Sequence, residues 1–144
     1  MDGKQMADTP ADPRVRVGET EKLTINLGVV DLGQIDLLVR EGFYSNRTDL
    51  IRTAIRNQLS VHADAVKRTV ARRDLVLGLL HINRIDLERA LAAGQTLHVR
   101  VLGLARIAND VTPELARATI ESVEVLGAFH ASLPVRSALA DRIH

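Results

Sequence analysis

The first regular pattern in the chain is an alternation of polar and apolar residues near the N-terminus. Positions 21–27 read Glu-Lys-Leu-Thr-Ile-Asn-Leu, which predicts a half-buried β-strand. Gly28 ends this run. One face of the predicted strand carries the apolar residues Leu23, Ile25 and Leu27, and the other carries the polar residues Lys22, Thr24 and Asn26.

The pattern then changes to the period of an α-helix. Apolar residues from about Asp31 to Glu41 recur at a spacing of three and four, and Gly42 is typical of a helix end. A second helix is predicted to begin at Ser45, a good N-cap residue, and its apolar face includes Ile51 and Ile55. Residues 61–73 are also helix-compatible and predict a helical linker.

A single strand followed by two helices leaves the backbone of that strand without hydrogen-bond partners. A second copy of the chain is the nearest remedy, because two such strands form an antiparallel ribbon over four helices. The outward Lys, Thr and Asn side chains of that ribbon would suit the major groove of B-DNA, whereas an ordinary solvated strand face is the alternative. The predicted dimer core contains Leu23, Ile25, Leu27, Ile35, Ile51 and Ile55.

The second half of the chain contains an internal repeat. The triplet Val-Leu-Gly recurs at residues 76–78, 101–103 and 125–127, and each copy opens an apolar stretch followed by a helical segment. The predicted helices run from Asp86 to Ala93, from Pro113 to Thr119 and from Pro134 to Arg142. Units of about 24 residues indicate parallel strands joined by crossovers. The alternative is a three-stranded antiparallel sheet with coincidental similarity.

In-register parallel strands would align His81, Arg106 and His130 in one row. A metal or anion site there is one interpretation, but an arginine between two histidines makes a poor metal cage. A polar rim on the sheet is the favoured interpretation, and we expect no metal and no cofactor.

Composition narrows the possible functions. Apolar residues make up 46% of the 144 residues and the net charge is +1, which indicates a globular protein whose nucleic-acid contacts must come from a local patch. The absence of cysteine excludes disulfides, thiolate metal sites and a cysteine nucleophile. We find no catalytic constellation and expect no enzyme activity. No apolar run is long enough to cross a bilayer, and we expect a cytoplasmic protein without a membrane partner.

Residues 21 to about 60 resemble the ribbon-helix-helix DNA-binding domain of the CopG family of transcriptional regulators. The strand Lys22-Leu-Thr-Ile-Asn-Leu27 and the turn Gly42-Phe-Tyr-Ser-Asn-Arg-Thr-Asp-Leu-Ile-Arg52 carry the resemblance. It implies that Lys22, Thr24 and Asn26 contact DNA bases, and that Ser45, Asn46 and Arg47 at the start of the second helix contact a backbone phosphate. Gly28 and Val29 depart from the Pro and Glu that are frequent in the family, so the first helix is expected to start less sharply.

The expected fold is therefore α+β: a flexible arm at residues 1–20, a ribbon-helix-helix domain at 21–60, the linker at 61–73 and a β/α repeat domain at 74–144. The expected function is regulation of transcription, as a repressor, by a homodimer bound to double-stranded operator DNA. The repeat domain would serve a higher oligomer, or an unknown effector or partner. Two alternatives remain: an antitoxin that neutralises a partner toxin, and a structural assembly protein that polymerises through the repeats.

Overall fold

The computed structural model describes residues 20–144, which form two units. The N-terminal unit covers Lys22–Thr69, and the C-terminal unit is built from Val70–His144 together with Thr20 and Glu21. Almost all of the predicted N-terminal arm lies outside the described residues.

Helices make up the regular structure of the N-terminal unit. Helix α1 spans Val29–Arg40, α2 spans Arg47–Val61 and α3 begins at Ala63 and ends at Arg72, beyond this unit. Gly28 occupies the N-cap of α1 and, having no side chain, provides no capping hydrogen bond. Helix α1 ends at Arg40. Gly42, two residues later, has a φ of +87° that suits glycine, and Phe43 donates its N–H back to the carbonyl of Leu38.

The predicted strand at residues 21–27 is not formed in the single chain: these residues have no regular secondary structure. The physical reason is that a strand needs a hydrogen-bonding neighbour, and no other segment of the described chain lies alongside it. The predicted antiparallel ribbon is therefore not part of this single-chain structure. The only sheet in the described residues has three parallel strands.

That sheet lies in the C-terminal unit, in the order β1-β2-β3. Its strands are β1 (Val76–Ile82), β2 (Leu97–Ile107) and β3 (Ile120–His130). The connecting helices are α4 (Arg84–Ala92) and α5 (Pro113–Thr119), and α6 (Leu133–Ala138) follows β3 with a short 3₁₀ turn at Ala140–Arg142. The parallel arrangement was predicted correctly and the antiparallel alternative is wrong, whereas the interpretation of the units as copies of one repeated module stays a prediction.

Polar side chains cap the helices of the C-terminal unit. Asn83 and Asp86 form a reciprocal capping box at α4, and Thr112 caps α5 before Pro113. Ser132 caps α6, so this helix begins just before the predicted Pro134. These caps fix the positions where each strand gives way to a helix.

The core lies on one face of the sheet. Val99, Val101, Ala105 and Ile107 of β2 alternate with outward residues and are buried against the helices. The other members of this core are Ile82, Leu87, Val111, Ala116, Ile120, Val123, Val135 and Leu139. The opposite face carries Leu77 and Leu126, which remain 67% and 48% exposed. In the single chain this second face is only partly covered, because Leu104 on the central strand is buried there whereas these residues of the outer strands are not.

A row of glycines crosses the sheet. Gly78, Gly103 and Gly127 are paired in register and all have φ between +124° and +141°. A Cβ atom added to Gly103 would lie 2.0 Å from the carbonyl oxygen of Gly78, and one added to Gly127 would lie 2.1 Å from that of Gly103. Gly103 and Gly127 are therefore required by sterics, because no side chain fits between these strands there, whereas at Gly78 an added Cβ meets no atom and the positive φ alone favours glycine.

Candidate nucleic-acid interface

The residues expected to face DNA are all at the surface. Lys22, Thr24 and Asn26 are exposed. The alternate residues Leu23, Ile25 and Leu27 are also exposed, at 81%, 55% and 41%. In the single chain both sets of side chains are therefore in water. The apolar set has no core to enter unless another surface supplies one.

The remaining residues of the predicted dimer core are also incompletely buried in the single chain. Ile35 and Ile51 are half-buried and Ile55 is 49% exposed. Across Lys22–Thr69, all of which the structure describes, no residue is fully buried. A unit that removes so little apolar surface from water gains little of the hydrophobic free energy that stabilises a fold. Its apolar side chains are consistent with a partner-dependent core.

The beginning of α2 is shaped by reciprocal hydrogen bonds. The side-chain oxygen of Asn46 accepts from the backbone N–H of Asp49 at 2.8 Å, and Asp49 Oδ2 accepts from the N–H of Ser45 at 3.0 Å. The N-cap is therefore Asn46 and not the predicted Ser45. Both are good cap residues, and the cap goes to Asn46 because its side chain reaches the third residue of the helix.

The first turn of α2 has the properties of an anion site. Among the described residues, no acceptor is found for the backbone N–H groups of Arg47 and Thr48, and the helix dipole adds partial positive charge there. A surface concavity of about 410 Å³ adjoins this turn. Its lining residues are Ser45, Asn46, Thr48, Asp49, Arg52 and Arg56.

Arg47 itself holds the two helices together. Its Nε and Nη2 donate to the two carboxylate oxygens of Asp36 on α1, at 2.7 and 2.9 Å. This hydrogen bonding from Arg47 lowers the pKa of Asp36 below its ordinary value, and the same contact raises the pKa of Arg47. The guanidinium of Arg47 is thus engaged with Asp36, and its backbone N–H is the group available to an anion.

Arg52 and Arg56 are the cations that the sequence reasoning missed. Both line the concavity beside the start of α2, although neither was assigned a role from sequence. A signal was present, because Asp49, Arg52 and Arg56 are spaced by three and four residues and so share one helix face. That face continues directly from the capped first turn.

The predicted row of polar residues on the sheet is observed in the C-terminal unit. His81 pairs in register with Arg106, and Arg106 with His130. Nη2 of Arg106 lies 3.1 Å from Nδ1 of His130, and Nε2 of His130 lies 2.6 Å from a carboxylate oxygen of Glu21. Because the guanidinium can only donate, Nδ1 is the acceptor and Nε2 carries the proton given to Glu21. Arg106, His130 and Glu21 therefore form a hydrogen-bonded rim, whereas Nδ1 of His81 is buried without a hydrogen-bond partner among the described residues.

The described residues also bear on metal binding and membrane insertion. In the part of the chain that the structure describes, no three His, Asp or Glu side chains come together as a metal site would require. Within residues 20–144, no helix combines the length and apolar character that a bilayer crossing demands.

Comparison with known proteins supplies the family. No curated protein and no solved structure matches the chain. The model of the ribbon-helix-helix transcriptional regulator family matches residues 18–136, which include the candidate interface and all three strands of the sheet. This match spans well over half of the sequence, so the chain belongs to the ribbon-helix-helix transcriptional regulator family.

Proposed function

We propose that the protein is a homodimeric, sequence-specific DNA-binding repressor of transcription. Members of its family bind DNA and typically dimerise. In the proposed dimer, residues 21–27 of two copies pair as an antiparallel ribbon. Lys22, Thr24 and Asn26 of both copies then enter the major groove, where such side chains can address base edges.

One observation carries this proposal: the N-terminal unit exposes an alternating apolar face that it cannot bury alone. Leu23, Ile25 and Leu27 are all more than 40% exposed, and Lys22–Thr69 contains no buried residue. Pairing of two strands would turn the apolar faces inward and would satisfy the backbone groups that the single chain leaves unpaired. The polar faces would remain outside, in position to contact a duplex.

Phosphate contacts would fix the ribbon in the groove. The proposed phosphate-binding residues are Ser45, Asn46 and Arg47 at the start of α2. The N–H of Ser45 is given to Asp49, so the backbone donors proposed to reach the phosphate are those of Arg47 and Thr48. Arg52 and Arg56 add positive charge at the same concavity. The C-terminal unit is proposed to serve oligomerisation or the sensing of an effector.

Selection of bound sequences from random DNA, at a stated salt concentration, tests the proposal. We expect a short symmetric site, because two identical chains read two half-sites. On that site Asn26→Ala should cost about 1–3 kcal/mol and relax one base position, while binding to random DNA stays unchanged. Asn57→Ala is the matched control, since Asn57 is exposed on α2 well beyond its first turn. An equal loss on selected and random DNA would contradict base reading by Asn26.

A further inference from the structure

The two outer edges of the sheet differ in their protection. On β3, the N–H of His144 donates to the carbonyl of Val123 at 2.8 Å, and Nη1 of Arg136 donates to the carbonyl of Phe129 at 2.7 Å. Ile143 also forms a parallel bridge with Val123. The segment that follows β3 therefore folds back and occupies the outer edge of that strand.

The outer edge of β1 has no such cover in the described residues. The carbonyl of Ile82 accepts from the N–H of Ala108, which directly follows β2, so Ile82 directs its backbone groups toward β2. Because neighbouring residues of a strand point their backbone groups to opposite sides, Leu77, Leu79 and His81 direct theirs to the open edge. No hydrogen bond from these groups to another described segment is found.

β1 also lacks the features that usually prevent an edge strand from pairing with another chain. Its sequence Val-Leu-Gly-Leu-Leu-His-Ile contains no lysine, no carboxylate and no proline, and its pairing with β2 shows no bulge. Val76 and Leu77, which face opposite sides of the sheet, are 47% and 67% exposed. An apolar edge that no described segment covers is a template for another strand.

We propose that β1 pairs antiparallel with β1 of a second copy of this chain, joining two sheets into one of six strands. The two-fold axis would pass beside Leu79. In that register, Leu79 lies opposite Leu79 of the second copy, and Leu77 lies opposite His81 of the second copy. All the outward backbone groups of these three residues then find partners in both chains, because each of these opposed pairs exchanges both hydrogen bonds.

The side chains on the other face of the paired β1 strands also fit the proposed register. Gly78 lies opposite Leu80 of the second copy, where the absence of a side chain leaves space, and Val76 lies opposite Ile82. No like charges meet across the axis, since His81 is the sole titratable residue of β1. β3 is not the partner, because Arg136 and His144 already occupy its edge.

This interface is separate from the proposed ribbon, because it uses only residues of β1. Failure of DNA reading by Asn26 would leave it intact, and failure of the β1 pairing would leave the ribbon intact. The ribbon belongs to the N-terminal unit and the β1 pairing to the C-terminal unit.

Disulfide trapping tests the pairing in the full-length chain. The protein contains no cysteine, so Leu79→Cys introduces a single thiol. Opposed residues of a hydrogen-bonded pair have Cα atoms about 5.5 Å apart, within the range that a disulfide spans. Under mild oxidation we expect most of the Leu79→Cys protein to migrate as a covalent dimer on a non-reducing gel.

Leu126→Cys is the matched control, because Leu126 is exposed on the same face but lies on the protected strand β3. It should stay largely monomeric on the gel. Adding Leu77→Lys to Leu79→Cys should slow dimer formation about tenfold or more, since the lysine would be desolvated in the interface. Leu77 is 67% exposed in the single chain, so this change should leave the circular dichroism spectrum unaltered.

Hydrogen exchange of the unmodified protein gives an independent reading. The amides of Leu77, Leu79 and His81 should be protected although they lie at the edge of the single chain. Equal cross-linking of the two cysteine variants, or fast exchange of these three amides, would overturn the proposal. Protection without cross-linking would overturn it as well, because it would show that another part of the same chain covers the edge.

Discussion

Alanine substitution at Gly78, Gly103 and Gly127 separates two destabilising effects. One is the positive φ, which all three positions share, and the other is a steric collision of the new Cβ, which only two of them have. All three have φ of +124° or more, a conformation that costs an L-residue about 1–3 kcal/mol. Only at Gly103 and Gly127 would the new Cβ also collide with a neighbouring carbonyl oxygen, at 2.0 and 2.1 Å, whereas at Gly78 it meets no atom within 4 Å.

The collision cannot be relieved by a side-chain rotation, because the oxygen belongs to the backbone of the adjacent strand. The strands must move apart, which weakens at least two ladder hydrogen bonds worth about 1 kcal/mol each. Gly103→Ala and Gly127→Ala should therefore lower the free energy of unfolding by about 3–5 kcal/mol, and Gly78→Ala by about 1–3 kcal/mol.

Urea unfolding followed by far-ultraviolet circular dichroism measures the difference, since the chain contains no tryptophan and only one tyrosine. All variants must be compared at one protein concentration, because association shifts apparent stability. Equal unfolding midpoints for Gly78→Ala and Gly103→Ala would refute the steric argument and leave backbone conformation as the sole reason for the glycines.

Three further outcomes are expected. Arg52→Ala should reduce the slope of log binding constant against log salt concentration by about 1.8, because a dimer would lose two phosphate contacts. Arg47→Ala should leave that slope unchanged, because the guanidinium of Arg47 is held by Asp36. The reverse result would show that Arg47 is the phosphate-binding cation. Asp36→Asn should lower the thermal stability near neutral pH. Because Arg47 lowers the pKa of Asp36, this carboxylate stabilises the fold above its ordinary pKa of 3.8, and the stabilisation is lost as the pH falls through the lowered pKa. The difference in thermal stability between the variant and the parent should therefore disappear in acid. A difference that persists in acid would argue against the ion pair. Asn83→Ala removes the acceptor for the N–H of Asp86 at the start of α4 and should cost about 1 kcal/mol in urea unfolding, and no change would mean that the cap is dispensable.

The sequence predicted the C-terminal sheet well because its signal is a repeated one. Three Val-Leu-Gly triplets at spacings of 25 and 24 residues predicted parallel strands in register, and the glycines do pair across the sheet. Their steric role could not be predicted, because a carbonyl 2.0 Å from a missing Cβ is a property of the assembled strands. The fold-back of Ile143 and His144 onto β3 was missed for the same reason: it depends on where the sheet ends in space.

Prediction was less complete at the candidate interface. The polar and apolar alternation at residues 21–27 predicted a strand, but strand pairing is a property of two segments, and the described chain supplies one. The choice between Ser45 and Asn46 as N-cap rests on side-chain reach that composition does not reveal. Likewise, Arg47 is cationic in sequence, and only the fold shows that Asp36, eleven residues earlier, engages it.

The lack of any buried residue between Lys22 and Thr69 has a consequence for how the proposed regulator responds to its own abundance. If the binding-competent form exists only as a pair, operator occupancy at low abundance rises with the square of the chain concentration. A twofold change in synthesis then alters occupancy about fourfold while the site is sparsely filled. Such a steep dose–response would arise from mass action alone, before any small molecule takes part.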